Sequence, residues 1–146
     1  MKLITVFIVA ITLTGKATLS QTKTEIDSLL SIISNIDSSR DIIETAEAKR
    51  IINYSQKILP LLTTFFRDSS ATNITSNCAG FRLKKGEIAI ILAEHIDVFM
   101  PYFTLTGVQN CTLDRCQNTP NGIEFYLCAI RRDGGKKFQQ KYYEWL

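Results

Sequence analysis

Hydrophobic residues recur at helical spacing in the first third of the chain. Thr22-Lys-Thr-Glu25 has the Thr-x-x-Glu order of a helix capping box. An apolar stripe with spacings of three and four residues follows it, made of Ile26, Leu29, Leu30, Ile33 and Ile36. Ser38-Ser-Arg-Asp41 forms a second capping box, so a second helix is predicted after a very short connection. Short connections favour antiparallel packing of the two helices.

The second helical pattern is long and contains a proline. Its buried face is predicted to include residues spaced alternately by four and three, namely Ile51, Ser55, Ile58, Leu62 and Phe65. Pro60 lies inside this pattern, where it removes one intrahelical hydrogen bond and clashes with the preceding turn. The pattern therefore predicts a kink near Gln56, or two helices in place of one. Residues 68–83 are predicted to be a polar loop followed by a short irregular segment.

The most apolar stretch after the N-terminus is residues 87–100, where the spacing favours a helix over a strand. The helix would end at Pro101. Its predicted inward residues are Ile88, Ile91, Leu92, Ile96 and Phe99, and its predicted outward residues are Glu87, Glu94 and Asp97.

The last part of the chain leaves two interpretations open. Thr119-Pro120 before an apolar pattern, with Gly134 and Gly135 after it, is typical of a helix. Asn121-Gly122 followed by β-forming residues favours a hairpin. Residues 136–146 predict an amphipathic terminal helix that places Phe138, Tyr142 and Trp145 on one face. The predicted fold class is mainly α, a small disulfide-stapled helical bundle, with an α+β fold carrying a C-terminal hairpin around residues 102–132 as the alternative.

The N-terminus has the features of a secretory signal peptide. Lys2 precedes an eleven-residue apolar run, and small residues follow it, with cleavage predicted after Ala17 or Ser20. Residues 1–20 are thus assigned to the signal, and residues 21–146 to one secreted, extracellular domain. No other apolar run approaches the length of a membrane span. Loss of Lys2 and Lys16 with the signal lowers the formal net charge from +3 to +1, which gives no reason to expect nucleic-acid binding.

The cysteines and the glycosylation motifs also agree with an extracellular location. Four cysteines outside the signal (Cys78, Cys111, Cys116 and Cys128) suit two disulfides, and the sequence leaves all three pairings open. Pairing Cys78 with Cys128 and Cys111 with Cys116 is one of them. Asn-x-Ser/Thr motifs make Asn53, Asn73 and Asn110 candidate glycosylation sites.

Candidate chemistry is sparse. His95 is the single histidine, no nucleophile motif accompanies it, and a zinc site would need more ligands, so neither a catalytic residue, nor a metal, nor a cofactor is assigned. The chain has two cationic clusters, Arg82-Leu-Lys84-Lys85 and the turn that carries Arg131, Arg132, Lys136 and Lys137. That turn is the candidate contact for a partner, which would be a sulfated glycan, an anionic lipid surface or an acidic receptor patch.

The functional prediction is a secreted, non-enzymatic ligand or effector that binds another extracellular protein and resembles cytokines in architecture only. The alternative is an extracellular carrier of a lipid or other apolar small molecule, with Phe65, Phe66, Phe99, Phe103, Phe125 and Tyr126 as candidate lining residues. The sequence does not identify the partner, the biological role, the disulfide pairing or the oligomeric state.

Overall fold

The computed structural model describes residues 14–108, 111 and 118–146, with side chains from residue 22 onward. The apolar run of the predicted signal peptide, Asn110 and Cys116 lie outside the described residues. The α-helices are α1 (Thr14–Ile33), α2 (Ala46–Asn53), α3 (Leu59–Thr63), α4 (Lys85–Ile96), α5 (Tyr102–Thr106), α6 (Leu127–Asp133) and α7 (Gly135–Trp145). The 3₁₀ helices are Ser39–Glu44, Ser55–Ile58 and Gly122–Tyr126, and the strands are β1 (Ala71–Thr75) and β2 (Arg82–Lys84). The described part of the chain is therefore mostly helical, and none of its helices is long and apolar enough to cross a membrane.

Helix α1 confirms the predicted stripe but not the predicted start. Ile26, Leu29, Leu30 and Ile33 are buried, as their spacing predicts. Within the described residues the helix is already present at Thr14, so the capping box at Thr22 does not start it. Both predicted cleavage positions lie within α1.

The long second pattern is divided into short helices. Ser38 caps the first 3₁₀ helix by accepting the Arg40 amide at 3.3 Å, and Thr45 caps α2 by accepting the Ala48 amide at 3.1 Å. The break after α2 falls at Ser55, whose φ of 59° is left-handed. Pro60 then lies in the first turn of α3, a position where a missing N–H costs no hydrogen bond. The predicted division into two helices near Gln56 is thus confirmed.

A hairpin replaces the polar loop predicted for residues 68–83. β1 pairs antiparallel with β2, with Ala71 opposite Lys84, Thr75 opposite Arg82 and an irregularity between these pairs. The amides of Asn73 and Thr75 also donate, each at 2.8 Å, to the carbonyls of Ser34 and Asp37 after α1. The loop prediction was wrong because β1 takes part of its hydrogen bonding from the residues after α1, which are distant in sequence.

Helix α4 is the centre of the core and packs against α1, α2 and α3. Residues 88–93 are fully buried, so this helix has no solvated face. Glu87, Glu94 and Asp97 were predicted to face outward, but all three are buried because other elements surround the helix. Phe99 was predicted to be buried, but α4 ends at Ile96 and Phe99 lies beyond its last turn.

The C-terminal region is helical where the structure describes it. Residues 102–106 and 122–133 form α5, a 3₁₀ helix and α6, so the alternative hairpin around 102–132 is wrong in these ranges. In α7, Phe138 and Tyr142 are buried as predicted, and their ring centroids lie 5.8 Å and 5.3 Å from that of Phe66. Trp145 is only partly covered.

Candidate functional site

The candidate cationic turn joins α6 to α7, and its first residue is used inside the fold. The Arg131 guanidinium donates to both carboxylate oxygens of Glu87, at 2.5 Å and 2.6 Å. It also donates to the Arg82 carbonyl at 2.7 Å and lies 3.5 Å from the centroid of the Phe81 ring. A bidentate pair with a buried carboxylate is a strong contact. Arg131 therefore links α6 to the start of α4.

The other cations of the turn differ in how they are neutralised. Asp133 accepts from Arg132 Nε at 2.7 Å and from Lys137 Nζ at 3.3 Å. The hydrogen bond from Arg132 lowers the pKa of the Asp133 carboxyl below its usual value. Lys136 is exposed and has no acidic partner among the described residues. The four predicted patch residues are thus close in sequence, but only Lys136 presents an unpaired charge within the described region.

A buried carboxylate connects three distant segments. Glu124 accepts from the hydroxyls of Ser39 at 3.0 Å and Ser76 at 2.5 Å, and from the Cys78 amide at 3.4 Å. Its other oxygen accepts from Thr119 at 3.1 Å and from the Asn121 side chain at 2.8 Å. Every partner donates to the charged form, which is the arrangement that makes a buried carboxylate tolerable. Glu124 holds the 118–126 segment against the first 3₁₀ helix and the hairpin.

His95 belongs to the edge of this cluster. Its Nε2 lies 2.9 Å from the side-chain oxygen of Asn121, and the Asn121 amide nitrogen donates to the Ser39 carbonyl at 2.9 Å. The Ser39 and Ser76 hydroxyls donate to Glu124 and not to His95. The contacts of His95 are thus those of a residue that positions Asn121.

Glu94 is a second buried carboxylate beside the first. The Tyr102 hydroxyl and the Ile123 amide, the latter at 2.9 Å, donate to Oε1. Oε2 is buried and has no hydrogen-bond partner. Burial raises the pKa of Glu94. A Cβ at Gly122 would lie 2.8 Å from Glu94 Oε1 and 3.2 Å from the Tyr102 hydroxyl, so a larger residue here would displace these two side chains.

Large apolar side chains are exposed beyond the end of α4. Val98 is 74% exposed, Phe99 82% and Phe103 62%. Trp145, 47% exposed, donates Nε1 to Asp97 at 3.0 Å, and Tyr142 donates to the same carboxylate oxygen at 3.2 Å. Asp97 therefore fixes the end of α7 next to this segment. We call Val98, Phe99, Phe103 and Trp145 the apolar surface.

Two of the three glycosylation candidates can be located. Asn53 is exposed at the end of α2, on the side away from the buried face as predicted, and Asn73 is exposed in β1. The side chains of both residues are accessible to a modifying enzyme. Their glycosylation stays a prediction.

The structure contains a disulfide between Cys111 and Cys128, with their Cα atoms 6.2 Å apart. The pairing of Cys78 with Cys128 and of Cys111 with Cys116 is therefore wrong. Cys78 is disulfide-bonded as well. The Cys111 amide donates to the Phe125 carbonyl at 2.8 Å, which brings this cysteine next to the start of α6.

No protein-family model matches the chain, and comparisons with curated proteins and with solved structures give no match either. Functional arguments therefore rest on the residues themselves. Sequence reasoning missed the apolar surface, because Phe99 and Phe103 were assigned to a core or a cavity. The one available signal was Pro101, which separates the α4 pattern from Phe103: Phe99 lies between α4 and α5, and Phe103 lies in the short helix α5.

Proposed function

We propose that this protein is a secreted, non-enzymatic effector that acts by binding another extracellular protein. The observation that carries the proposal is the apolar surface. Exposed apolar groups that lie together on a folded domain mark interaction sites more often than isolated ones do. Aromatic side chains also contribute disproportionately to protein–protein affinity.

The apolar surface is held in place by its neighbours. Met100 and Leu105 are buried, while Phe99 and Phe103 on the same segment point outward. Gly107, with a φ of 72°, ends α5 in the left-handed conformation that favours glycine. A partner would therefore meet a backbone segment that is already positioned, which lowers the entropic cost of binding.

Several sequence features support an extracellular setting for this contact. The signal-like N-terminus, the exposed candidate acceptors Asn53 and Asn73 and the disulfide all suit secretion. We infer a small disulfide-stapled helical bundle around α4, comparable with cytokines in general architecture only. The cationic turn stays a candidate secondary contact through Lys136.

The carrier alternative finds less support in the packing. Of its candidate lining residues, Phe65 and Phe66 are buried in the core, and Phe66 contacts the rings of Phe138 and Tyr142. Phe99 and Phe103 are exposed, so they cannot line an internal cavity in this conformation. A bound apolar molecule detected by native mass spectrometry of the deglycosylated protein would favour the carrier.

The test is the binding of the labelled, disulfide-bonded protein to cell surfaces and extracellular matrix. Phe99→Ser/Phe103→Ser should abolish saturable, protease-sensitive binding, because it removes two exposed rings without touching the core. Ile32→Ser is the matched control, since Ile32 is a 49% exposed apolar residue in α1. Equal binding by all three proteins would refute the apolar surface as the contact. Sedimentation of the wild type as a dimer that the double variant dissolves would show that the surface serves self-association.

A further inference from the structure

A groove of about 300 Å³ lies where three parts of the fold meet: residues 66–69, which follow α3, the start of α4, and the turn between α6 and α7. Three of its lining residues are Arg67, Lys84 and Lys136. They come from separate parts of the chain, and all three are exposed. The fold therefore gathers cations that the sequence keeps far apart.

These three cations are not neutralised within the described residues, whereas the neighbouring cations are. Arg131 pairs with Glu87, and Lys85 pairs with Asp27 at 2.6 Å. No ion pair of the described chain includes Arg67, Lys84 or Lys136.

The two acids that line the groove already have other partners. Asp68 accepts the Ser70 amide at 2.9 Å. Glu87 accepts the Lys84 backbone amide at 2.7 Å in addition to the Arg131 guanidinium. Neither carboxylate is paired with the three cations. The lining as a whole has four cations (Arg67, Lys84, Arg131 and Lys136) against two acids (Asp68 and Glu87), a formal net charge of +2.

The start of helix α7 lies at the groove. Gly135 packs closely against the residues that follow α3, where a Cβ on Gly135 would lie 2.9 Å from the Phe66 carbonyl oxygen. Helix α7 begins at this glycine with no side-chain cap and no acidic residue in its first turn. The first turn of α7 thus adds no negative charge of its own to the groove, and the start of a helix favours negative charge.

We propose that this groove binds an anionic ester group, a sulfate or a phosphate, carried on a larger molecule. Its volume is at the lower end of small-molecule sites and suits one such group with part of its carrier. The Arg67 guanidinium offers a planar pair of donors, and the two lysines offer mobile point charges. The site is separate from the apolar surface and does not depend on the proposed protein contact.

The test is titration calorimetry of the full, disulfide-bonded chain. The probes are a heparin-derived sulfated tetrasaccharide, glycerol phosphate, and phosphatidylcholine vesicles with and without phosphatidic acid. Arg67→Ala, Lys84→Ala and Lys136→Ala should each weaken binding about fivefold, the effect expected for one partly solvated charge. Lys57→Ala is the control, because Lys57 is an exposed lysine of the 3₁₀ helix Ser55–Ile58 and does not line the groove.

The pattern of loss decides the outcome. Weakening by the three groove variants with an unchanged Lys57→Ala supports the site. Comparing the affinity for the tetrasaccharide with the affinities for glycerol phosphate and for phosphatidic acid vesicles then identifies the source of the anion. Equal weakening by all four variants would show nonspecific charge attraction and overturn the proposal, as would a failure of every probe to bind.

Discussion

Removing the Glu124 carboxylate should destabilise the fold strongly. The carboxylate accepts five hydrogen bonds, from Ser39, Ser76, Cys78, Thr119 and Asn121, and Glu124 is buried. Glu124→Ala leaves these donors facing a cavity. Leaving a buried donor without its acceptor costs about 1–3 kcal/mol, so losing the acceptor of several donors at once should cost about 3–5 kcal/mol in total. That is a large part of the roughly 5–15 kcal/mol that stabilises a domain.

A second substitution separates charge from hydrogen bonding. Glu124→Gln keeps one acceptor oxygen, but its amide group must face either the Cys78 N–H or the Asn121 side-chain amide, which are donors themselves. We therefore expect a loss smaller than that of Glu124→Ala but still above about 1 kcal/mol.

Urea unfolding of the disulfide-bonded protein, followed by far-UV circular dichroism, measures both losses. The control is Glu144→Ala, an exposed acid in α7 that accepts only from Gln140. Its effect should stay within about 0.5 kcal/mol. A free energy of unfolding for Glu124→Ala within 1 kcal/mol of the wild-type value, on the scale of that control, would refute the structural role of this network.

Three further predictions follow from the same structure. Burial raises the folded-state pKa of Glu94, so ionisation of this carboxyl opposes folding. The free energy of unfolding should therefore fall as pH rises from the pKa of the unfolded state towards that of the folded state. Denaturant titrations at several pH values should show this slope in the wild type and not in Glu94→Gln. Removing the disulfide with Cys111→Ser/Cys128→Ser, which opens a loop across 17 positions, should lower the free energy of unfolding by about 3 kcal/mol. An unchanged midpoint in urea unfolding would contradict this prediction. Gly86→Ala would place a Cβ 2.6 Å from the Phe66 carbonyl oxygen. Calorimetry should therefore show a larger drop in melting temperature than for Gly80→Ala, whose Cβ meets open space and whose cost is limited to the strain of its left-handed φ of 69°.

Helices with a strong local pattern could be predicted from the sequence. The stripe of α1 and the break before Pro60 depend on spacing and on the backbone of proline, which are both local properties. The helix predicted for residues 87–100 is present as Lys85–Ile96, although its predicted outward face was wrong. Periodicity assigns acids to the solvent side, whereas Glu94 is buried because Tyr102 and the Ile123 amide supply its hydrogen bonds.

Features that depend on distant contacts were not predictable. β1 contains one strongly apolar residue, Ile74, and part of its hydrogen bonding goes to the segment after α1. The groove cations Arg67 and Lys136 come together where Gly135 allows the start of α7 to approach the residues that follow α3. Sequence reasoning therefore found Lys84 in one cationic cluster and Arg131 and Lys136 in another, but it did not bring the two clusters together and it missed Arg67.

Partner binding through the apolar surface is tested most directly by photo-cross-linking from that surface. A benzophenone side chain at position 99, compared with one at position 32, would be irradiated with the protein bound to cells or matrix. The proposal predicts one discrete protein adduct from position 99, suppressed by excess wild-type protein but not by excess Phe99→Ser/Phe103→Ser. Equal labelling from both positions, or an adduct of two copies of this chain alone, would contradict it.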